Sequence, residues 1–166
     1  ILHRLVGSEM CIRDSLERDQ LTSGTTWHAA GLVSQLGPSA AITKIRKYTL
    51  DLYKELEKKV DHSAGLRLNG ALSIAENKGR WQELQRQATT AQLFDVDVRI
   101  LDKDQIKKDY PIVNTDEVLG GILMPGDGAA DPSGVTHMLA KAARMEGAKI
   151  FEQSPVDEIL TKNGKI

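Results

Sequence analysis

Two hydrophobic periods alternate along most of this chain, and the alternation limits the folds that it can adopt. Residues 40–60 carry apolar side chains three or four positions apart, as one face of an amphipathic helix requires. Residues 66–75 follow the two-residue period of a strand, with a break at Gly70. Because segments of both kinds follow one another repeatedly, the sequence predicts an α/β or mixed α+β fold.

The apolar positions also predict which helix faces are buried. Ser39 is a suitable N-cap for the helix over 40–60, and its predicted apolar face comprises Ile42, Ile45, Thr49, Leu52, Leu56 and Val60. A second helix is predicted over 80–94, with Trp81, Leu84, Ala88 and Ala91 on one face. Further helices are predicted at 102–110 and 132–146, the latter capped by Asp131, and strands at 96–100, 117–124, 149–152 and 156–160.

Charge, hydropathy and cysteine content exclude several classes of partner. The 22 basic and 23 acidic residues give a formal net charge of −1, so the overall charge gives no reason to expect a nucleic acid or an anionic membrane. No apolar run approaches the ~20 residues that a membrane span needs. Cys11 is the only cysteine, which excludes an internal disulfide. Asp95 with Asp97, and Asp116 with Glu117, are interpreted as solvated charges, so no metal site is predicted.

Both ends of the sequence suggest that it is a piece of a longer chain. Residues 1–15 show neither period and are similar to translated adapter sequence, so we expect a non-native or disordered arm; a divergent N-terminal arm is the alternative. Asn163-Gly164 is a strong hairpin-turn signal with only two residues after it. We therefore expect the natural chain to continue.

The segment over 16–36 has the features of a nucleotide-binding region. Glu17 follows the predicted end of a strand at Leu16, where a dinucleotide-binding fold places the acid that accepts from the ribose hydroxyls. The alternative is a surface acid beside Arg18. The following run, TSGTT, offers hydroxyl groups with little side-chain bulk, and its Gly24 would let a ligand approach the backbone closely. An ordinary helix-capping cluster is the alternative for this run.

A histidine in the next run, WHAAG, stands between a bulky aromatic residue and three small residues. Trp27 precedes His28, and three small residues follow it. This arrangement clears space around a nucleophilic imidazole for a flat group, although a single histidine is more often a structural residue.

A second glycine-containing turn, GDGAAD over 126–131, is interpreted as structural. It follows an apolar strand and precedes a helix, as a nucleotide-binding turn does. The third glycine of that motif is replaced by Asp131, however, and Pro132 follows. An Asp-Pro pair is typical of a capped helix start.

From LERDQLTSGTTWHAAG onward, the sequence resembles FAD-dependent oxidoreductases of the D-amino-acid-oxidase-like group, in particular the dimethylglycine and sarcosine dehydrogenases. The resemblance continues through NGALSIA and LGGILMPGDGAADPSGVTHMLAKAARMEGA, and covers essentially residues 16–166. It implies a fragment of a Rossmann-like FAD-binding domain with part of an inserted substrate-domain sheet. The implied division is 16–65 in the FAD-binding domain, 66–125 in the substrate domain, and 126–166 returning to the FAD-binding domain.

The resemblance also assigns roles to matching positions. Glu17 would hold the adenosine ribose with Arg18 beside it, and Val156 would contact the adenine. His28 matches the histidine that carries FAD covalently through the flavin 8α carbon in these dehydrogenases. The remaining implied contacts to the pyrophosphate, ribityl chain and flavin ring are Gly24, Thr25, Thr26, Trp27, Ala29, Ala30, Gly31 and Leu32. No catalytic residue is assigned.

The implied function is oxidation of a small N-methylated amino acid, with formaldehyde released or the one-carbon unit passed to folate in a further C-terminal domain. The electron acceptor and the substrate stay open. The compartment would be the cytoplasm of a bacterium or the mitochondrial matrix of a eukaryote. Alternatives are a related amine or amino-acid oxidase with non-covalent FAD, and a non-catalytic module of the same fold.

One departure from the family pattern affects cofactor binding. Family members open with a strand, a GxGxxG turn and a helix that hold the pyrophosphate, and nothing in residues 1–16 matches them. We therefore expect this 166-residue chain alone to bind FAD weakly or not at all and to be inactive.

Overall fold

The computed structural model describes residues 14–161, so most of the predicted arm and the turn at Asn163-Gly164 lie outside the described residues. The helices are α1 (Ala40–Lys59), α2 (Lys78–Gln92), α3 (Lys103–Asp109) and α4 (Pro132–Met145), and Thr26–His28 form a 3₁₀ turn. The strands are β1 (Ser15–Leu16), β2 (Leu32–Val33), β3 (Ala71–Ala75), β4 (Arg99–Leu101), β5 (Gly120–Met124), β6 (Gly128–Ala129) and β7 (Ile150–Phe151). The predicted mixed α/β fold is confirmed. Over 14–161, no helix is both long enough and apolar enough to span a bilayer.

The chain forms two compact units. Within the described residues, the first unit comprises 14–30, 55–64 and 131–161, and the second comprises 31–54 and 65–130. The first unit contains β1 and β7, which pair in parallel. The second contains the antiparallel pair β2–β6 and a three-stranded antiparallel sheet in the order β3-β5-β4. Chain segments that are distant in sequence therefore meet within each unit.

The core of the second unit lies on both faces of β5. On one face, β3 and β5 pack against α2, and the buried side chains there are Ala75, Leu84, Ala88, Ile122 and Met124. On the other face, α3 contributes to a second cluster of Leu101, Ile106 and Val118. The predicted face of α2 is confirmed, because Leu84, Ala88 and Ala91 are buried and Trp81 packs at the edge of the core.

The predicted apolar face of α1 is wrong in its first half. Ile42 and Ile45 are exposed, whereas Thr43 and Leu50 are buried. The reason is a polar contact: the Thr43 hydroxyl accepts from the Gly37 amide at 3.0 Å and donates to a carbonyl at the helix start. Because these hydrogen bonds satisfy the hydroxyl, it can be buried at little cost in free energy. The side of α1 that carries Thr43 therefore faces the core.

The predicted strand over 156–160 is also wrong. These residues are exposed and have no strand assignment. β7 pairs with β1, and within the described residues no strand pairs with 156–160. An alternating pattern becomes a strand only where a second strand supplies hydrogen bonds.

The start of α4 gives a direct test of helix capping. The Asp131 carboxylate accepts from the backbone amides of Ser133 at 3.2 Å and Gly134 at 2.9 Å, as predicted for an N-cap. We expect Asp131→Ala to lower the free energy of unfolding by about 1 kcal/mol, since two amides lose their acceptor. Urea unfolding measures this loss. Asp131→Asn keeps a capping oxygen and should lose much less; an equal loss in both variants would contradict a capping role.

Candidate functional site

Glu17 lies immediately after β1 in the first unit, as predicted. Its amide donates to the Phe151 carbonyl and its carbonyl accepts from the Ser154 amide, both at 2.8 Å. Its carboxylate accepts from the Asp19 amide at 3.0 Å, which braces the turn after the strand. The strand end therefore presents an acidic group that is half-buried and held in place by backbone contacts.

Further contacts join this turn to the segment after β7. The Leu21 amide donates to the Glu152 carboxylate at 3.0 Å, and the Gln153 amide donates to the Asp19 carbonyl at 2.8 Å. Val156 follows this anchored segment and is 56% exposed. Arg18 is exposed at the same turn, and its ion pair with Asp19 (3.5 Å) is of the solvent-exposed kind that contributes little to stability. The structure thus joins the segments that carry the predicted adenosine contacts.

Trp27 and His28 lie on the 3₁₀ turn, which packs against α4 in the first unit. The His28 amide donates to the Thr25 carbonyl at 3.2 Å, which closes the turn. The two rings are 3.9 Å apart between centroids and inclined by 33°. Trp27 is 60% exposed and His28 is also exposed, so the imidazole is accessible to a ligand in this unit.

The residues beside this ring pair leave space for a bulky group. Ala29 and Ala30 are exposed, and a Cβ placed on Gly24 would meet no atom within 4 Å. Packing within the protein therefore does not explain why this position is a glycine. An exposed aromatic surface with small neighbours fits a large, flat, mostly apolar ligand with a polar tail.

Gly31 and Leu32 belong to the second unit. Gly31 has a φ of 71°, a conformation that favours glycine, and its carbonyl accepts from the Ala130 amide at 2.8 Å. Leu32 begins β2, where it pairs with Ala129, and its side chain is 81% exposed. This unit therefore presents an uncovered leucine at the position that the sequence analysis assigned to flavin contact.

The glycines of the GDGAAD turn are packed against the protein itself. A Cβ on Gly128 would overlap the Arg67 carbonyl oxygen, and one on Gly126 would overlap the Gln35 side chain. Asp131, the last residue of the turn, caps α4. These contacts support the structural interpretation of this turn, since the approach of the Arg67 backbone accounts for Gly128; at Gly126 the close atoms belong to the end of the flexible Gln35 side chain.

The sequence analysis assigned no role to Asp127, although its side chain is one of the few buried polar groups in the part of the chain that the structure describes. It is 2% exposed, and its carboxylate accepts from the Gln35 amide at 2.9 Å. Burial raises the pKa of this carboxyl, and the hydrogen bonds from Gln35 and the positive charge of Arg46 act against that shift. The sequence feature that could have identified Asp127 is an acid between two glycines shortly after an apolar strand.

Comparison with known proteins agrees with these features. The family model described as FAD dependent oxidoreductase (DAO) matches residues 15–166. Human mitochondrial sarcosine dehydrogenase is 39% identical over 145 residues, which are 87% of this chain and 16% of that protein. Human mitochondrial dimethylglycine dehydrogenase is 32% identical over 148 residues, which are 89% of this chain and 17% of that protein. The chain thus spans about a sixth of the length of these relatives.

A solved structure shares the fold. L-proline dehydrogenase from P. horikoshii superposes with a TM-score of 0.82 over 90% of this chain and 40% of that chain, at 23% sequence identity. The family match covers nearly every described residue, including the turn that carries Trp27 and His28. The chain therefore belongs to the DAO family of FAD-dependent oxidoreductases.

Proposed function

We propose that the full-length gene product oxidises the N-methyl group of a small amino acid such as sarcosine or dimethylglycine. The two relatives named above act, by their names, on these two compounds. The observation that carries the proposal is the accessible His28 imidazole in contact with the exposed ring of Trp27, with small residues beside it. This arrangement supports a role in holding a flavin.

The FAD-binding residues in this proposal are those that the family resemblance assigns. Glu17 and Arg18 would hold the adenosine ribose, and Val156 the adenine. The turn with Gly24, together with Thr25 and Thr26, would face the phosphates and ribityl chain, and the residues assigned to the ring are Trp27, His28, Ala29, Ala30, Gly31 and Leu32. In this proposal residues 16–65 and 126–166 belong to an FAD-binding domain, and residues 66–125 to a substrate domain.

We assign to His28 the covalent attachment of FAD. A neutral imidazole nitrogen is a competent nucleophile, and this side chain is exposed, as attachment requires. The Trp27 ring lies 3.9 Å from the imidazole between centroids, a contact that would help to orient the nitrogen. The expected consequence is a flavin that stays with denatured protein.

Bound FAD would supply the chemistry of accepting a hydride equivalent from the N-methyl carbon. The chain's own contribution would be to orient the cofactor and to exclude water with the exposed side chain of Trp27. The same proposal includes the fate of the one-carbon unit, which would be released as formaldehyde or transferred to folate. It also includes the compartment, which would be a bacterial cytoplasm or a mitochondrial matrix.

Anaerobic titration of the purified full-length gene product tests the substrate class. We expect sarcosine or dimethylglycine to bleach the visible flavin absorption, because their N-methyl carbon carries the hydride to be transferred. Glycine, which has no N-methyl group, is the matched control. Bleaching by glycine or another primary amino acid instead would favour a related amino-acid oxidase, and a flavin-free product would favour a non-catalytic module.

A further inference from the structure

Three consecutive residues after β2 are held from two sides by groups of opposite charge. The Asp127 carboxylate accepts from the Gln35 backbone amide at 2.9 Å and from its side-chain amide at 3.4 Å. The Arg46 guanidinium donates to the Ser34 hydroxyl at 3.1 Å and to the Leu36 carbonyl at 2.6 Å. Hydrogen bonds to charged groups are stronger than those between neutral groups, so this segment has two strong anchors.

Asp127 is itself fixed in place. Its amide donates to the Met124 carbonyl at 3.2 Å, and its carbonyl accepts from the Gly70 amide at 2.9 Å. Gly128 allows the turn to lie directly against the Arg67 backbone, where no side chain would fit. The carboxylate is therefore held by a rigid, buried turn.

The anchored segment continues directly into two residues of the proposed flavin site. β2 has only two residues, so its pairing with β6 supplies only two of the contacts that can fix its register. The bond from Ala130 to Gly31 fixes one end of it, and the bond from Gln35 to Asp127 fixes the other. A slip by one residue would turn the exposed Leu32 side chain to the opposite face.

We propose that Asp127 and Arg46 are positioning residues that fix residues 34–36 and thereby hold Gly31 and Leu32 in the orientation needed for flavin contact. This inference rests on the proposed function for the identity of the ligand. The hydrogen bonds that define the anchor belong to the second unit alone, so its rigidity is measurable without flavin.

Hydrogen exchange of the 166-residue chain tests the anchor. We expect Asp127→Ala to accelerate exchange of the amides at 32–36 about tenfold, since a buried donor loses its charged acceptor. Exchange within α2 should be unchanged. Asp127→Asn keeps an acceptor oxygen and should restore most of the protection, and Asp116→Ala, at an exposed acid in the same unit, is the matched control. Arg46→Met should give the same local acceleration even if Asp127→Ala does not fold.

Flavin binding by the full-length gene product tests the positioning role. In a His28→Ala background, where the flavin is not covalently attached, we expect Asp127→Ala to weaken flavin binding about tenfold and to shift the visible flavin spectrum, with rescue by Asp127→Asn. Unchanged exchange at 32–36, or equal acceleration throughout the chain, would overturn the anchor. Faster local exchange with unchanged flavin affinity and spectrum would overturn the positioning role alone. A wild-type product that binds no flavin would instead overturn the proposed function, whatever the exchange result.

Discussion

Replacing His28 with alanine in the full-length gene product should convert a covalent flavoprotein into one that releases its flavin on denaturation. The imidazole is the only nucleophile that we assign to attachment, and alanine has no group that can replace it. Acid precipitation gives the measurement: the wild-type pellet should stay yellow, whereas the His28→Ala pellet should be colourless and its supernatant yellow. The flavin-labelled peptide of the wild type should contain His28.

His62 provides the control for this experiment. It is a second histidine of the first unit and makes an edge contact with the ring of His137, at 6.4 Å between centroids. His62→Ala should leave the flavin in the pellet, since this residue has no assigned role in attachment. A yellow His28→Ala pellet would place the attachment elsewhere. A colourless wild-type pellet would support the related oxidase with non-covalent FAD.

Gly128→Ala in the GDGAAD turn should strongly destabilise the fold. Its new Cβ would overlap the Arg67 carbonyl oxygen, which is backbone and cannot rotate away. Arg67 and Ala129 exchange two hydrogen bonds, of 2.8 and 3.0 Å, and relief of the overlap would have to break or lengthen them. We expect a loss of about 3 kcal/mol in the free energy of unfolding, at the upper end of the range for overpacked sites.

Urea unfolding of the 166-residue chain measures this loss, with Gly24→Ala as the matched control. A Cβ on Gly24 meets no atom within 4 Å, so this variant should stay within about 0.5 kcal/mol of the wild type. Equal unfolding midpoints for Gly128→Ala and the wild type would show that the turn can move. That result would also weaken the rigidity argument for Asp127.

Local signals were sufficient to predict the helices and the fold class. The buried face of α2 follows from its apolar spacing, and the start of α4 follows from Asp131 and Pro132, because capping and periodicity depend on neighbours in sequence. The buried face of α1 does not follow from its apolar residues. Thr43 is buried because its hydroxyl meets Gly37 and Ser39, and apolar periodicity does not register a buried hydroxyl.

Contacts between distant segments explain the remaining differences. The strand expected over 156–160 depends on a pairing partner, and the role of Asp127 depends on Gln35, 92 residues away in sequence. Neither strand pairing nor the contact between Asp127 and Gln35 can be read from the periodicity of the sequence. The predicted cofactor residues came from the family resemblance, which reflects tertiary contacts indirectly. The resemblance assigned no role to Asp127, so its contact with Gln35 was not predicted.

The pairing of β1 with β7 has a consequence for synthesis on the ribosome. Residues 15–21 find their hydrogen-bond partners in 149–154, and the bond between Leu21 and Glu152 joins positions 131 residues apart. At ordinary translation rates β1 waits on the order of ten seconds for β7 to be made. During that interval β1 lacks its hydrogen bonds to β7, so a chaperone that covers nascent β-strands would have an effect there.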